Sequence, residues 1–465
     1  MKKSGFVTLF LSALSLLAEA TGSENYDFQT LSTAGRALAG NGTVEIDLNG
    51  KYVTENGMAY FLDILVGTPG QMQSVMIDTG SSDLIVTASN ASACITIWGC
   101  AGGTFDPVKS STFGTVTPDG LYKTYADYSR KVGDYVTDVT QIGDVPMIGA
   151  PLGLAYYTKD FTGVNFGIMG LGYSSNLTGN EAVEPDEQSY IPTFVGTLVQ
   201  KGVVASRLFS LYLNQLGERG SIIFGGIDVD KFRGPLTTLN CLADNDTVKD
   251  FYLNLEEVTV QSSNGGSQSL MRPTGQKPYP VLLDTGRLDW SVPTDVYEKI
   301  TEAAGAFEAN DTKTEREWLE KPCDDLDRGG INAPHIQLTF SGNGSNTATL
   351  DLEMADLFVP RLNQDGSAMT NDVGQALCEL IVRDYGSPKG LDQEGGVAIG
   401  NVVTRTGYFV FDLDNGQISM AQANFAANSS NVIHVEAGAD GLKKAFDGLI
   451  AETQTNHVAG QPGRW

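Results

Sequence analysis

Two aspartates in this chain carry the same signature. "VMIDTGSSDL" occupies 75–84 and "VLLDTGRLDW" occupies 281–290, each with three apolar residues followed by Asp-Thr-Gly. A single Asp-Thr-Gly is an ordinary turn; two copies, each leaving an apolar run, suggest two carboxylates meant for one place. If Asp78 and Asp284 meet, both cannot ionise cheaply, so they share a proton and titrate as a unit. The ionised member takes a proton from a water held between them, and the protonated member donates to a substrate carbonyl oxygen. Water then attacks the carbonyl carbon without a metal or a covalent intermediate. Gly80 and Gly286 let the backbone turn tightly beside the acids. Thr79 and Thr285 supply hydroxyls able to tie the two turns together, and Val75 to Ile77 and Val281 to Leu283 anchor each turn in core.

Each copy is followed, far downstream, by an apolar run closing on glycine: "FGIMGLG" at 166–172 and "GGVAIGN" at 395–401. The chain thus writes strand, Asp-Thr-Gly, long gap and apolar-Gly twice, which points to a duplicated lobe rather than a short repeat. Two related lobes facing across a pseudo-twofold axis create a cleft at their junction, a common place for a ligand site. The 465 residues suit two lobes, and hydrophobic residues at 41% with aromatics at 9% supply a large core. Strand-like runs between turn clusters, with 54 glycines, indicate an all-β protein. "YFVFDLDNGQISMAQ" has a turn signal at its centre and is expected to form a hairpin. Helix signals are few. Thr294 or Asp295 is placed to cap "VYEKITEAAGAF", "IPTFVGTLVQKGVV" is a second candidate, and Leu442, Ala445, Phe446, Leu449 and Ile450 form one apolar helical face expected to pack on the protein itself.

A net charge of −26 argues against nucleic acid as a partner. "MKKSGFVTLFLSALSLLAEA" has a basic start, an apolar run and a small-x-small end, the pattern of a secretory signal peptide over 1–20, too short for a confident membrane span. No membrane span or lipid anchor is expected elsewhere, and the expected location is extracellular. Cys94 and Cys100 could close a small loop and Cys323 and Cys378 a larger one, leaving Cys241 over. Sequons at Asn41, Asn90, Asn176, Asn245, Asn310, Asn343 and Asn428 fit a secretory surface carrying some glycan. His335, His434 and His457 lack metal-ligand spacing, so no metal or cofactor is expected.

With these motifs in view, the chain resembles the pepsin-like aspartic proteases of the secreted, fungal type. The resemblance rests on "VGTPGQ" (66–71), "DTGSSDLIV" (78–86), "TFDPVKSSTF" (104–113), "GIMGLGY" (167–173), "FSLYLN" (209–214), "GSIIFGGID" (220–228), "LLDTG" (282–286) and "YFVFDLDNGQISMAQ" (408–422). It implies a bilobal fold with pseudo-twofold related lobes, and endopeptidase activity on extended peptides with Asp78 and Asp284 catalytic. It also implies a hairpin flap over the cleft with Tyr125 near its tip, and disulfides Cys94–Cys100 and Cys323–Cys378. The corresponding division is a signal peptide over 1–20, a pro-segment and first strand over 21–57, an N-terminal lobe over 58–235, a C-terminal lobe over 236–424, and a tail with an amphipathic helix over 425–465. A monomer acting on a peptide or protein substrate is expected.

Five positions depart from the family pattern. Ser81 keeps the hydroxyl that supports the first acid, but Arg287 stands where the second copy would have Thr or Ser. A guanidinium there either pairs with Asp284, lowering its pKa and removing the shared proton, or points away, towards Asp289. Ala126 and Tyr128 replace the glycines flanking the flap Asp127, which is expected to narrow or stiffen the lid. Ile85 replaces a tryptophan that usually holds the flap tyrosine, and Asn401 stands where Asp is common. These departures set a second reading beside the first: a catalytically impaired peptide-binding or decoy protein that keeps the fold.

Overall fold

The architecture follows from apolar alternation in short strands broken by glycine-rich turns. A computed structural model describes residues 42–54, 57–95, 99–126, 128–159, 165–173, 191–261, 266–271, 278–311, 316–329, 333–363, 367–386 and 397–448. The segment expected to be a signal peptide, and most of the segment expected to precede the first strand, lie outside the described residues. The protein is mostly β with a few short helices.

The duplication is written in the strand order. In the first half, strand Gly57–Val66 runs antiparallel to Gln71–Asp78. Gln71–Asp78 pairs in parallel with Gly167–Gly170, with Asp78 opposite Gly170. Gly167–Gly170 runs antiparallel to Leu84–Thr87, which pairs in parallel with Val145–Lys159. In the second half, Tyr252–Gln261 runs antiparallel to Tyr279–Leu283. Tyr279–Leu283 pairs in parallel with Ala398–Ile399, which is antiparallel to Trp290–Pro293, itself parallel to Val382–Gly386. The order and the senses are the same in both halves. Each apolar-Gly segment is the strand threaded between the two arms of its Asp-Thr-Gly loop, and this is why it ends in glycine. A Cβ at Gly170 would collide with the backbone of Ser82 and Asp83, and one at Gly400 with the backbone of Arg287 to Asp289.

The two halves share a floor. A 13-stranded sheet carries the first-half strands and also Gly407–Asp412 and Gln417–Ala423 from near the C-terminus. Gly407–Asp412 lies antiparallel to Leu208–Tyr212 and closes the expected hairpin with Gln417–Ala423. Phe209, Phe251 and Phe411 meet in this floor; the Phe251 and Phe411 ring centroids are 4.7 Å apart and those of Phe209 and Phe411 5.0 Å. These rings are buried, and large aromatics of this kind dominate core energetics.

Helix boundaries differ from expectation in one place. The helix Thr294–Ala304 starts one residue before "VYEKITEAAGAF" would with a Thr294 cap, and neither Thr294 nor Asp295 caps it; the N-cap is Pro293. Thr294 Oγ1 instead donates to Asp384 Oδ1 at 2.8 Å, a longer-range partner that a local pattern does not reveal. Phe194–Gln200 is helical and is capped by Thr193, whose hydroxyl accepts from Gly196 N. At the C-terminus, residues 441–448 are helical, and Leu442, Ala445 and Phe446 pack on the cluster containing Ile227, Tyr408 and Val435. Leu449 and Ile450 lie outside the described residues. The segment before this helix adds strand Val432–His434 to Gly226–Asp228.

Disulfides join Cys94 to Cys100 and Cys323 to Cys378. Cys241 is free and buried, and burial pushes its thiol up to about 12, so it is not a reactive nucleophile at working pH. Asn90, Asn245, Asn343 and Asn428 are exposed.

Candidate active site

The two Asp-Thr-Gly turns meet at the junction of the halves. Each turn first secures its own acid: Gly80 N–H donates to Asp78 Oδ1 at 2.8 Å, and Gly286 N–H donates to Asp284 Oδ1 at 2.9 Å. Each glycine then faces the opposite acid. A Cβ on Gly80 would stand 2.7 Å from Asp284 Oδ1, and one on Gly286 2.5 Å from Asp78 Oδ1. Any larger residue would push the carboxyls apart. The two carboxyls are thus held close enough to act on each other, the charge of Asp78 raising Asp284.

The threonines lock the turns reciprocally. Thr79 Oγ1 donates to Leu283 O at 2.7 Å and accepts from Thr285 N at 3.0 Å. Thr285 Oγ1 donates to Ile77 O at 3.3 Å and accepts from Thr79 N at 3.1 Å. Both residues are buried. Asn401, fully buried, donates from Nδ2 to Thr285 O at 2.9 Å and so braces the second turn alone.

The surroundings make the two acids unequal. Ser81 Oγ donates to Asp78 Oδ2. Burial raises the pKa of Asp78 above the usual carboxylate range, opposed by the hydrogen bonds from Ser81 and Gly80 and by the charge of Lys123. Asp284 is raised by burial first and by the Asp78 charge second, with Arg287 opposing. No hydroxyl stands at position 287 to favour the ionised form of Asp284. The surroundings therefore favour the charge on Asp78 and the proton on Asp284 within a pair that titrates as a unit.

Arg287 takes the second of the two orientations considered from sequence. Its guanidinium turns to Asp289, with Nη2 2.8 Å from Oδ2 and Nε 3.3 Å from Oδ1, and Nη2 donates to Ser291 Oγ at 2.7 Å.

The flap expected over the cleft is the hairpin of Gly114–Thr124 and Arg130–Ile142, paired at its end through Thr124 and Arg130. Its tip turns through Tyr125, whose N–H donates to Ser129 O at 3.0 Å and whose carbonyl accepts from Tyr128 N at 2.8 Å. Lys123, two residues before Tyr125, sets its ammonium 5.9 Å from the Tyr125 ring centroid. The Lys123 charge opposes the upward shift of Asp78. Sequence reasoning passed over Lys123, although its two-residue spacing from Tyr125 was visible. Tyr128 has φ 62°, the left-handed region a glycine would occupy, and its side chain is 73% exposed, so its bulk is directed to solvent. Ile85 fills a buried cluster with Leu121, Tyr135 and Ala155 under the flap, and Tyr135 OH donates to the buried Asp83 Oδ1 at 2.7 Å. Asp127 lies outside the described residues.

Among the described residues no group of His, Cys, Asp and Glu is arranged to hold a metal, and no helix is long and apolar enough to cross a membrane. The geometry offers two buried carboxyls able to share a proton and activate a water.

Comparison with known proteins bears on the same residues. The family described as eukaryotic aspartyl protease matches 59–423. The probable aspartic-type endopeptidase opsB of Aspergillus fumigatus is 29% identical over 401 residues, covering 86% of this chain and 74% of its own length. Candidapepsin-3 of Candida albicans is 27% identical over 456 residues, covering 92% of this chain and 98% of its own. Aspartic proteinase yapsin-3 of Saccharomyces cerevisiae is 26% identical over 403 residues, covering 84% and 72% respectively. In fold, the crystal structure of aspartic proteinase from Irpex lacteus superposes with a TM-score of 0.60 at 21% identity, covering 84% of this chain and all of that one. With the match spanning both Asp-Thr-Gly turns and most of the chain between and around them, this protein belongs to the eukaryotic aspartyl protease family.

Proposed function

We propose that the protein is an active endopeptidase in which Asp78 and Asp284 form the catalytic pair. Asp78, ionised, takes a proton from water, and the water oxygen bonds to the scissile carbonyl carbon. Asp284 gives its proton to the carbonyl oxygen, producing a tetrahedral diol. A proton then passes to the amide nitrogen, the C–N bond breaks, and the carboxylic acid and amine products leave with the pair back in its one-proton form. Thr79 and Thr285 fix the spacing, Ser81 favours the charge on Asp78, and Tyr125 covers the reacting centre. The single observation supporting turnover over silent peptide binding is the orientation of Arg287, bonded to Asp289 and Ser291 and leaving the acids to each other.

The lobes assigned are 58–235 and 236–424, with 425–465 as a tail. A monomeric, secreted enzyme fits the two disulfides, which persist in oxidising compartments. Digestion of a diverse peptide library from about pH 2 to 7, with Asp78→Asn as control, tests the function. Cleavage at acid pH that vanishes in Asp78→Asn is expected, and inertness of the processed wild-type protein across that range overturns it.

A further inference from the structure

An arginine three residues from a catalytic carboxylate is a hazard. Asp284 and Arg287 already influence each other electrostatically, and the Arg287 backbone N–H lies 3.3 Å from Asp284 O, within the same turn. A direct guanidinium–carboxylate pair would be a strong, charge-assisted contact that holds Asp284 ionised. The pair would then lack the proton it must give the carbonyl oxygen.

The structure shows what prevents this. Asp289 presents both carboxylate oxygens to Arg287, at 3.3 and 2.8 Å. Ser291 accepts from Nη2 at 2.7 Å and donates to Asp289 Oδ2 at 3.0 Å, so the three side chains form a closed triangle. The backbone under it is fixed from the threaded strand: Gly400 N–H donates to Asp289 O at 3.0 Å and Asn401 N–H to Arg287 O at 2.8 Å. Ser291 is buried, and the Arg287 and Asp289 side chains are only about one-quarter exposed, at 25% and 22%.

We propose that Asp289 and Ser291 are positioning residues that hold the Arg287 guanidinium off the Asp284 carboxyl and so keep the acid pair in its one-proton form. The inference rests on the catalytic reading above. The other charged or titratable groups acting on the triangle are Asp284 and Tyr385, whose charges act on Arg287, and Arg383, which acts on Asp289 while bonded to Glu379 at 2.6 Å. The net effect of Arg287, Arg383 and Ser291 holds the Asp289 carboxyl below its ordinary range despite burial. The clamp thus keeps its charge to lower pH than a free aspartate would.

The test is the pH profile of kcat/KM on one peptide for wild type, Asp289→Asn, Arg287→Met and the double variant, with thermal melts alongside. In Asp289→Asn the freed guanidinium reaches Asp284, and the alkaline limb, where the pair loses its last proton, moves down by about one pH unit or more, a roughly tenfold loss on that limb. In Arg287→Met the limb moves up, and in the double variant it follows Arg287→Met, restoring activity. A uniform loss in Asp289→Asn with the limb in place, or a double variant no better than Asp289→Asn, overturns the proposal. If Asp289→Asn does not fold, Arg287→Met decides: an unmoved limb means there is nothing to hold off. Wild-type inactivity would instead be a failure of the catalytic reading, registered before any variant is compared.

Discussion

Thr79 and Thr285 exchange hydrogen bonds across the junction of the halves: each backbone N–H donates to the other's hydroxyl, at 3.1 and 3.0 Å. Each hydroxyl then donates into the strand that carries the opposite acid. The positions of the two carboxyls are therefore set by buried bonds that exist only when both turns are present.

Replacing either threonine by valine keeps the shape and leaves a backbone N–H and a carbonyl unpartnered in a buried site. Each single change is expected to cost about 1–3 kcal/mol of stability. Because both belong to one network, the double variant loses less than the sum of the two. Denaturant titration of the four proteins checks this, and strict additivity would contradict the reciprocal lock.

Ser81→Ala removes the side-chain hydroxyl that favours ionised Asp78. Asp78 then holds its proton more tightly, and the acid limb of kcat/KM moves to higher pH. A shift of about one unit corresponds to a roughly tenfold loss on that limb. An acid limb that stays in place would remove Ser81 from the catalytic unit.

Stability against pH carries the same signature. Asp78 and Asp284 are raised above 3.8, chiefly by burial, as are Asp47, Asp63 and Asp412. A carboxyl raised by folding contributes stability fully present below 3.8 and lost as pH rises through its folded value. Asp289, which is lowered, acts oppositely, its contribution fading as pH falls. Melting temperature is expected to decline from mildly acidic to neutral pH, and Asp284→Asn is expected to flatten that decline. A wild-type protein that melts higher at neutral pH would contradict the burial of the acids.

The two disulfides are expected to differ in worth. Chain entropy gives about 4 kcal/mol for the bridge spanning 55 residues, Cys323–Cys378, and about 2 kcal/mol for the one spanning 6, Cys94–Cys100. Paired Cys→Ser variants compared by denaturant midpoint test the order, which a greater loss at Cys94 and Cys100 would reverse.

The acid pair was legible in the sequence because duplication writes each half of it locally: an apolar strand, Asp-Thr-Gly, and a distant apolar-Gly partner. The hairpin at 407–423 was legible from its turn residues. The orientation of Arg287 was not, since a guanidinium with a carboxylate on either side is placed by packing rather than by spacing. Thr294 resembles a helix cap until Asp384 is brought beside it from 90 residues away. Tyr128 has a glycine's backbone angle without being one, so the turn it makes was legible only through the resemblance. The pairing of Gly407–Asp412 with Leu208–Tyr212 joins segments whose local patterns say nothing of each other.

That last pairing has a consequence for synthesis. The floor beneath the cleft is finished by the hairpin ending at Ala423, and the second threaded strand, Ala398–Ile399, precedes it only slightly. A growing polypeptide still attached to the ribosome holds the first acid long before the second has a strand to rest on. The two carboxyls can therefore be brought together only after the segment reaching Ala423 has been synthesised.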